Sequence, residues 1–345
     1  MILSLPASMG GMGILDPCGE ADWEYENSLL VTDQLTDAIF CQKPSLEVDE
    51  TVQDSVIKDL RRRKEERWKE RQERICSVLS EKLCRIVQLD SEKGSSTWLT
   101  SLPLKTYGFR LNKQHFLDAL CMRYDLKLTD VPRNCTCGDE YSINHCLTCK
   151  RGGYVIIRHN AVRDTLAEVL QEVCKYVKVE PPLLPVTGEV LPASANKTDG
   201  ARSDVSAVGL WHPMNRAFID VMVFNPHAQS NAAMNLSQMY ISHERSKKRE
   251  YNDRILQVEK GSFSPAVFSC SGGASPETTK LLKVIAAKLA VKRGEQYNTS
   301  INFLRRRISF DILRTCLMSF RGERGASQHQ SIEDLDIGQQ VMELY

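Results

Sequence analysis

Hydrophobic residues recur with a helical period in several parts of the chain. Between residues 158 and 177 the apolar side chains fall three or four positions apart, which predicts an amphipathic helix. Residues 53–89 contain no proline or glycine and predict one long helix, whose middle, residues 58–74, is almost wholly charged. We interpret this middle as a solvated helix face with Glu/Arg pairs four apart; a helix lying along nucleic-acid phosphates is the alternative.

A second pattern indicates strands. Two strand-like runs, residues 202–210 and 217–224, follow a proline-rich extended segment, and a six-residue connection between them predicts a hairpin. Another strand is expected at 264–273, between helices at about 236–258 and 276–293. From residue 158 the order is helix, three extended segments, helix, strand, helix. This order predicts an α+β protein with a small mixed sheet flanked by helices, behind a mainly helical N-terminal part.

Charge is unevenly distributed along the 345 residues, although 45 Lys and Arg nearly balance 44 Asp and Glu. Residues 14–58 carry 11 acidic and 2 basic side chains, whereas residues 240–325 carry 17 basic and 8 acidic ones. A polyanion is therefore expected to bind the C-terminal half. No stretch approaches the ~18 apolar residues of a membrane span, and the N-terminus lacks the basic start of a signal peptide. We expect a protein that is neither secreted nor embedded in a membrane.

Four of the twelve cysteines crowd into residues 135–149, together with a histidine. The set Cys135, Cys137, His145 and Cys149 has the spacing C-x1-C-x7-H-x3-C, and three thiolates with one imidazole suit tetrahedral zinc. Cys146 is an alternative fourth ligand, but His145 and Cys149 share a helical face, which favours Cys149. The sequence therefore predicts a structural zinc knuckle.

Asp204 and Asp220 lie one in each strand-like run. If the hairpin turns near the His-Pro of the connection, Asp204 pairs roughly with position 221 or 222, and the two carboxylates converge. Convergent carboxylates suit Mg²⁺ or Mn²⁺, which can polarise a phosphodiester. A pair of surface aspartates in a hairpin is the alternative. Glu168, on the preceding helix, is a further candidate at this centre.

These motifs together resemble the C-terminal region of non-LTR retrotransposon polyproteins, in which a reverse transcriptase is followed by a zinc knuckle and a restriction-like endonuclease. The knuckle, the Arg-His-Asn of residues 158–160 and the Asp204/Asp220 pair occur in the family's order. The resemblance extends over about residues 90–325, and weakly over residues 5–17, which resemble the end of the polymerase thumb. It implies a PD-(D/E)xK nuclease core of order αβββαβ that nicks target DNA.

The resemblance also implies roles for individual residues. Asp204 and Asp220 would bind Mg²⁺ or Mn²⁺, with the backbone carbonyl of Val221 as a third ligand. Five residues are expected to contact nucleic acid: Arg158, His159, His243, Arg245 and Tyr251.

Two positions depart from the family's motif. The motif lysine would fall at Met222, and Ser203 stands where the family has a proline. We expect Lys247 or Lys248, on the helix after the hairpin, to supply the missing cation as a catalytic residue.

The expected organisation runs in five parts: residues 1–50 as a thumb remnant and acidic linker, 51–130 as a helical linker, 131–152 as the zinc knuckle, 153–322 as the nuclease domain and 323–345 as a mobile tail. Because the chain contains no polymerase palm motif, we expect a fragment of a larger element, without reverse transcription. A nuclear location and DNA as partner, with the element's RNA as a second candidate, follow from the resemblance. A nucleic-acid-binding remnant without catalysis is the alternative function.

Overall fold

The computed structural model describes residues 2–43 and 50–324. The chain forms two units, Met1–Thr100 and Ser101–Tyr345, so the division falls inside the segment that we predicted as a helical linker. No helix among the described residues is both long and apolar enough to cross a membrane.

The first unit is helical. Its helices are α1 (Pro17–Phe40), α2 (Glu50–Val78), α3 (Glu81–Asp90) and the single turn α4 (Thr97–Thr100). The uninterrupted helix that we predicted over residues 53–89 is wrong, because the chain breaks before α3. Ser80 causes the break: its extended backbone ends the run, and its hydroxyl accepts a 3.4 Å hydrogen bond from the Leu83 N–H, which caps α3.

The charged middle of α2 is only partly a solvated face. Glu20 of α1 is 5% exposed and forms ion pairs with Arg67 and Arg71 of α2. Within α2, Arg62 lies 2.6 Å from Asp59, a pair of the kind expected for a solvated helix. The charged stretch therefore also serves as a helix–helix interface.

The second unit contains the sheet. Its elements are α5 (Lys113–Tyr124), α6 (Ile143–Thr148), α7 (Tyr154–Val173), β1 (Lys175–Val179), β2 (Val205–Val208), β3 (Arg216–Phe224), α8 (Leu236–Arg254), β4 (Ser262–Ser269), α9 (Pro276–Arg293) and α10 (Tyr297–Arg321). The order from α7 to α9 is the helix–strand order expected from the sequence, and the α+β class with a mixed sheet is confirmed.

The described strands form one sheet in the order β1-β2-β3-β4. β1, β2 and β3 are antiparallel neighbours, and β4 runs parallel to β3 after a crossover through α8. The proline-rich segment after β1 adds no long strand, because proline cannot donate to the sheet. β2 and β3 are the inner strands of the sheet, β1 and β4 are its edges, and β3 and β4 carry the longest buried runs.

Helices cover this sheet and bury its apolar side chains. α7 packs against β1, β2 and β3, α9 packs against β4, and α10 packs on both α7 and α9. Leu166, Leu170 and Ile219 are fully buried at these contacts. Each such side chain contributes roughly 1.5–3 kcal/mol when it leaves water, so the packing fixes the position of α7 on the sheet.

Candidate functional site

The predicted zinc ligands come together in space. The donor atoms of Cys135, Cys137, His145 and Cys149 all lie within 4.8 Å of one another. The Cys135 and Cys149 sulfurs are 3.9 Å apart, and the Cys137 sulfur is 3.3 Å from His145 Nε2. A tetrahedral zinc ion with its usual bond lengths would separate two sulfurs by about 3.8 Å and a sulfur from a nitrogen by about 3.5 Å. The cluster could therefore hold a structural zinc ion.

Cys146 lies outside this cluster. Its side chain is fully buried, and burial raises the pKa of its thiol, which favours the protonated form. Cys149, in contrast, ends α6 with its N–H bonded to the His145 carbonyl at 2.8 Å, one helical turn away. The structure thus agrees with the choice of Cys149 over Cys146 as the fourth ligand.

An acidic residue that sequence reasoning missed lies beside the cluster. Asp139 Oδ2 is 3.6 Å from His145 Nδ1, on the ring edge opposite the nitrogen that faces Cys137. A carboxylate in this place orients a metal-binding histidine and selects its tautomer. The sequence gives little signal for it, because Asp139 lies in a turn without periodicity.

Arg324 connects the segment that carries the Cys₃His cluster with the neighbouring helices. Its guanidinium is buried, donates to the Cys146 carbonyl and lies over the rings of Tyr141 and Tyr154, at 5.5 and 5.3 Å from their centres. The chain is therefore held in place at least as far as Arg324, which lies inside the tail predicted from residue 323. Residues 325–345 of that tail lie outside the described residues.

Asp204 and Asp220 also come together. β2 and β3 pair Val205 with Ile219, and continuing this register by one residue sets Asp204 opposite Asp220. The predicted partner at position 221 or 222 was wrong by one or two residues. Directly opposed residues of antiparallel strands share a face, so both carboxylates lie on the same side of the sheet.

Asp204 is held by two donors. Its Oδ2 accepts a 2.6 Å hydrogen bond from the Val221 N–H and lies 3.1 Å from His159 Nε2. Burial lowers the pKa of His159, but the Asp204 carboxylate outweighs it and raises that pKa above its ordinary value, which favours the charged ring. Val221, predicted as a ligand through its carbonyl, contacts Asp204 through its N–H.

Asp220 is buried beside a cation. It is 3% exposed, and its Oδ2 lies 2.6 Å from Lys247 Nζ. Burial raises the pKa of Asp220 to about 6, the Asp204 charge adds to the rise, and Lys247 opposes it. Burial alone would lower the pKa of Lys247, yet the charge of Asp220 raises it, so the ammonium stays protonated. Lys247, on α8, thus brings a cation to Asp220 of the hairpin, where the residue two positions after Asp220 is Met222.

The other two catalytic candidates lie elsewhere. Lys248 forms an ion pair with Glu277 at the start of α9. Glu168 forms an ion pair with Arg307 of α10. On α7, Glu168 follows His159 by nine residues, which is about half a turn around the helix, so it points away from the aspartates. The structure therefore gives no support to Glu168 or Lys248 at this centre.

Arg158 is the clearest correction among the predicted nucleic-acid contacts. It is 2% exposed, and its guanidinium donates to the Leu147 carbonyl at 2.8 Å and lies 3.8 Å from the Cys316 sulfur. A buried guanidinium used in this way joins α6, α7 and α10 and is not at a surface that nucleic acid can reach. His159, its neighbour, faces Asp204 as described above.

The remaining three residues lie on α8. His243 packs its ring 4.5 Å from the Phe224 ring, and burial lowers its pKa. Tyr251 is 8% exposed and packs 5.7 Å from the Phe263 ring. Arg245 is exposed and lines an open groove on the outer side of α8. Of these three, Arg245 alone is exposed on the surface.

Glu250 is a second acidic residue that sequence reasoning missed. It follows Lys247 on α8 by about one helical turn, and its charge raises the pKa of both Lys247 and Asp220. The i,i+3 spacing from Lys247 was the available signal. This centre therefore combines three carboxylates with one ammonium and one imidazole.

The second unit thus presents two centres. The Cys₃His cluster could hold zinc, and the carboxylate centre on the hairpin offers oxygen atoms beside Lys247. A scan against protein-family models and a search of curated proteins both find no match for the chain.

Proposed function

We propose that the chain is a divalent-metal-dependent DNA endonuclease that nicks its substrate. One observation carries the proposal: Asp204 and Asp220 are opposed on one face of the sheet, and Lys247 Nζ lies 2.6 Å from Asp220. Two carboxylates can hold a divalent cation that polarises a phosphodiester, and a nearby ammonium can stabilise the negative charge that develops on it.

The donor set fits a hard cation. Carboxylate oxygens are the ligands that Mg²⁺ and Mn²⁺ prefer. Lys247 Nζ already lies 2.6 Å from Oδ2 of the buried Asp220, but the nearby Asp204 charge still disfavours ionisation of Asp220. A divalent cation bound by both carboxylates would offset this repulsion. Asp204 and Asp220 would hold the ion, which would polarise the phosphate and lower the pKa of a bound water.

Lys247 has a separate role in this proposal. The carboxylates around it keep its ammonium charged, and α8 brings it to the aspartates from outside the hairpin. A positive charge beside the scissile phosphate stabilises the negative charge that develops as the bond breaks. Lys247 therefore takes the role of the motif lysine, whose position in the sequence is occupied by Met222.

The assignment to DNA and to a PD-(D/E)xK core rests on the order of the elements, the sequence motifs and the charge. The αβββαβ order agrees with such a core, and the sequence motifs resemble those of retrotransposon nucleases. The net positive charge of residues 240–325 favours a polyanion. Retrotransposon ancestry and a nuclear location belong to this proposal, since both follow from the same resemblance.

Binding of nucleic acid without cleavage is the second candidate function. Met222 favours it, because two residues after Asp220 the strand carries a thioether instead of a cation. In that case Lys247 would serve only to neutralise Asp220.

Nicking of supercoiled plasmid separates the two functions. The full chain with zinc retained would be incubated with Mg²⁺, Mn²⁺ or EDTA, beside Asp204→Ala and Asp199→Ala, an exposed aspartate that serves as the matched control. We expect metal-dependent nicked circles from the wild type and Asp199→Ala, and none from Asp204→Ala. Intact plasmid in every lane with a retained gel shift would instead support the non-catalytic function.

A further inference from the structure

His159 occupies a defined place in the carboxylate centre. Its Nε2 is 3.1 Å from Asp204 Oδ2, and its Nδ1 is 3.3 Å from the side-chain oxygen of Asn160. The Val221 N–H donates to the same Asp204 oxygen at 2.6 Å. Two donors from two different elements therefore converge on one carboxylate oxygen.

The helix that carries His159 is firmly anchored. Val162 and Leu166, three and seven residues later, are fully buried, and Arg158 is held in the core by the Leu147 carbonyl. Because α7 is fixed on both sides of His159, the imidazole has little freedom to leave the carboxylate. The contact between His159 and Asp204 therefore follows from the packing of α7 in the core of the domain.

We propose that His159 is a positioning residue of the carboxylate centre and not a contact to nucleic acid. Together with the Val221 N–H, it commits Oδ2 of Asp204 to the protein and fixes the plane of the carboxylate. The second oxygen of Asp204 can then serve a divalent cation together with Asp220. This inference rests on the proposed function, since it assigns His159 to the same metal centre.

The size of the effect follows from this role. Residues that hold a metal-binding carboxylate in place typically contribute 10- to 100-fold to metal affinity. The Val221 N–H belongs to the backbone and remains in any variant, so removal of His159 leaves one of the two donors. We therefore expect a loss at the lower end of this range, about tenfold.

Mn²⁺ binding to the zinc-loaded full chain tests this role without reference to cleavage. Free Mn²⁺ would be followed by electron paramagnetic resonance for the wild type, His159→Ala and His159→Gln. We expect His159→Ala to weaken binding about tenfold and His159→Gln, whose side-chain amide can donate to Asp204, to recover most of it. Unchanged or tighter binding by His159→Ala, or no recovery by His159→Gln, would overturn the inference.

Two control variants make the result specific. His212→Ala removes an exposed histidine from the β2–β3 connection and should bind Mn²⁺ as the wild type does. Asp204→Ala should abolish the binding, and equal zinc content in all variants would show that the domain has kept its fold.

The inference and the proposed function can fail separately. Mn²⁺ binding that needs Asp204 and His159, in a protein that does not nick plasmid, would refute the nuclease and support the role of His159. Nicking that His159→Ala leaves unchanged, with Mn²⁺ affinity also unchanged, would refute the role of His159 alone. Mn²⁺ binding that Asp204→Ala does not affect would overturn both.

Discussion

Two carboxylates of the second unit, Asp220 and Asp311, differ in the groups that balance their charge. Asp220 is placed in the apolar strand β3, where an unpaired carboxylate would cost several kcal/mol, and Lys247 offsets that cost. Asp311 on α10 forms no comparably close ion pair with any residue that the structure describes; it accepts a 2.7 Å hydrogen bond from the Thr165 hydroxyl. Burial raises the pKa of Asp311 to about 6, against the charges of Arg307 and Arg314.

Asp311→Asn should stabilise the protein at neutral pH. The folded chain binds a proton at Asp311 more tightly than the unfolded chain, whose carboxyl has a pKa of 3.8, so stability falls as pH rises through this window. Asn carries no charge and can still accept from Thr165. We expect the free energy of unfolding at pH 8 to rise by about 1–3 kcal/mol, and by about half as much at pH 5.

Urea denaturation at the two pH values measures this difference. The same substitution at the exposed Asp199 is the control and should leave stability unchanged. A gain of equal size at pH 5 and pH 8 would show that the charge of Asp311 is not the cause.

At the scale of elements, hydrophobic periodicity was enough to predict helices, whereas the breaks between helices could not be predicted. The apolar spacing of residues 158–177 correctly predicts α7, which ends at Val173. The same reasoning joined α2 and α3, because the cap at Ser80 interrupts a run that remains helical on both sides. The hairpin was predictable, but its predicted register was wrong by one or two residues, because a connection of seven residues, 209–215, does not define the register as a two-residue turn would.

The Cys₃His cluster shows where spacing is sufficient. All four of its members were predictable from the sequence, since a thiol pair and a His-x3-Cys turn leave few alternatives. His159 was recognisable only as part of a motif, because its contact with Asp204 spans 45 residues and depends on how α7 packs on the sheet. Arg158 was misassigned for the same reason: an arginine on a helix has no sequence signal that distinguishes a buried site from a surface.

Zinc content should distinguish the two neighbouring cysteines. Cys149→Ser removes a ligand and should lose the bound zinc, whereas Cys146→Ser, which alters a buried thiol outside the cluster, should retain about one equivalent. Elemental analysis of both variants after purification in zinc-replete medium measures this. Full zinc in Cys149→Ser, or loss in Cys146→Ser alone, would contradict the ligand assignment.

At the scale of the whole molecule, the candidate chemistry belongs to one unit. Every residue that we place at the two centres lies in the second unit, which begins at Ser101. Gly94, Pro103 and Gly108 indicate a loop close to this boundary, but a loop alone does not show that a chain divides into two units. The division depends on which helices pack together.

A chain of residues 101–345 should therefore fold by itself. We expect it to bind about one equivalent of zinc and to unfold in a single cooperative transition, because the sheet, its covering helices and the knuckle all lie within it. Elemental analysis and urea denaturation of this fragment test the expectation. A fragment that binds no zinc and unfolds without a cooperative transition would show that residues 1–100 are needed for its fold.

We propose that Asp204, Asp220 and Lys247 form one metal-dependent centre whose lysine comes from α8. The most direct test compares Mg²⁺-dependent plasmid nicking by Lys247→Met and Lys248→Met, adjacent lysines of which only the first contacts Asp220. We expect a loss on the order of 100-fold for Lys247→Met and a rate close to wild type for Lys248→Met. Equal rates for the two variants, or a loss confined to Lys248→Met, would contradict it.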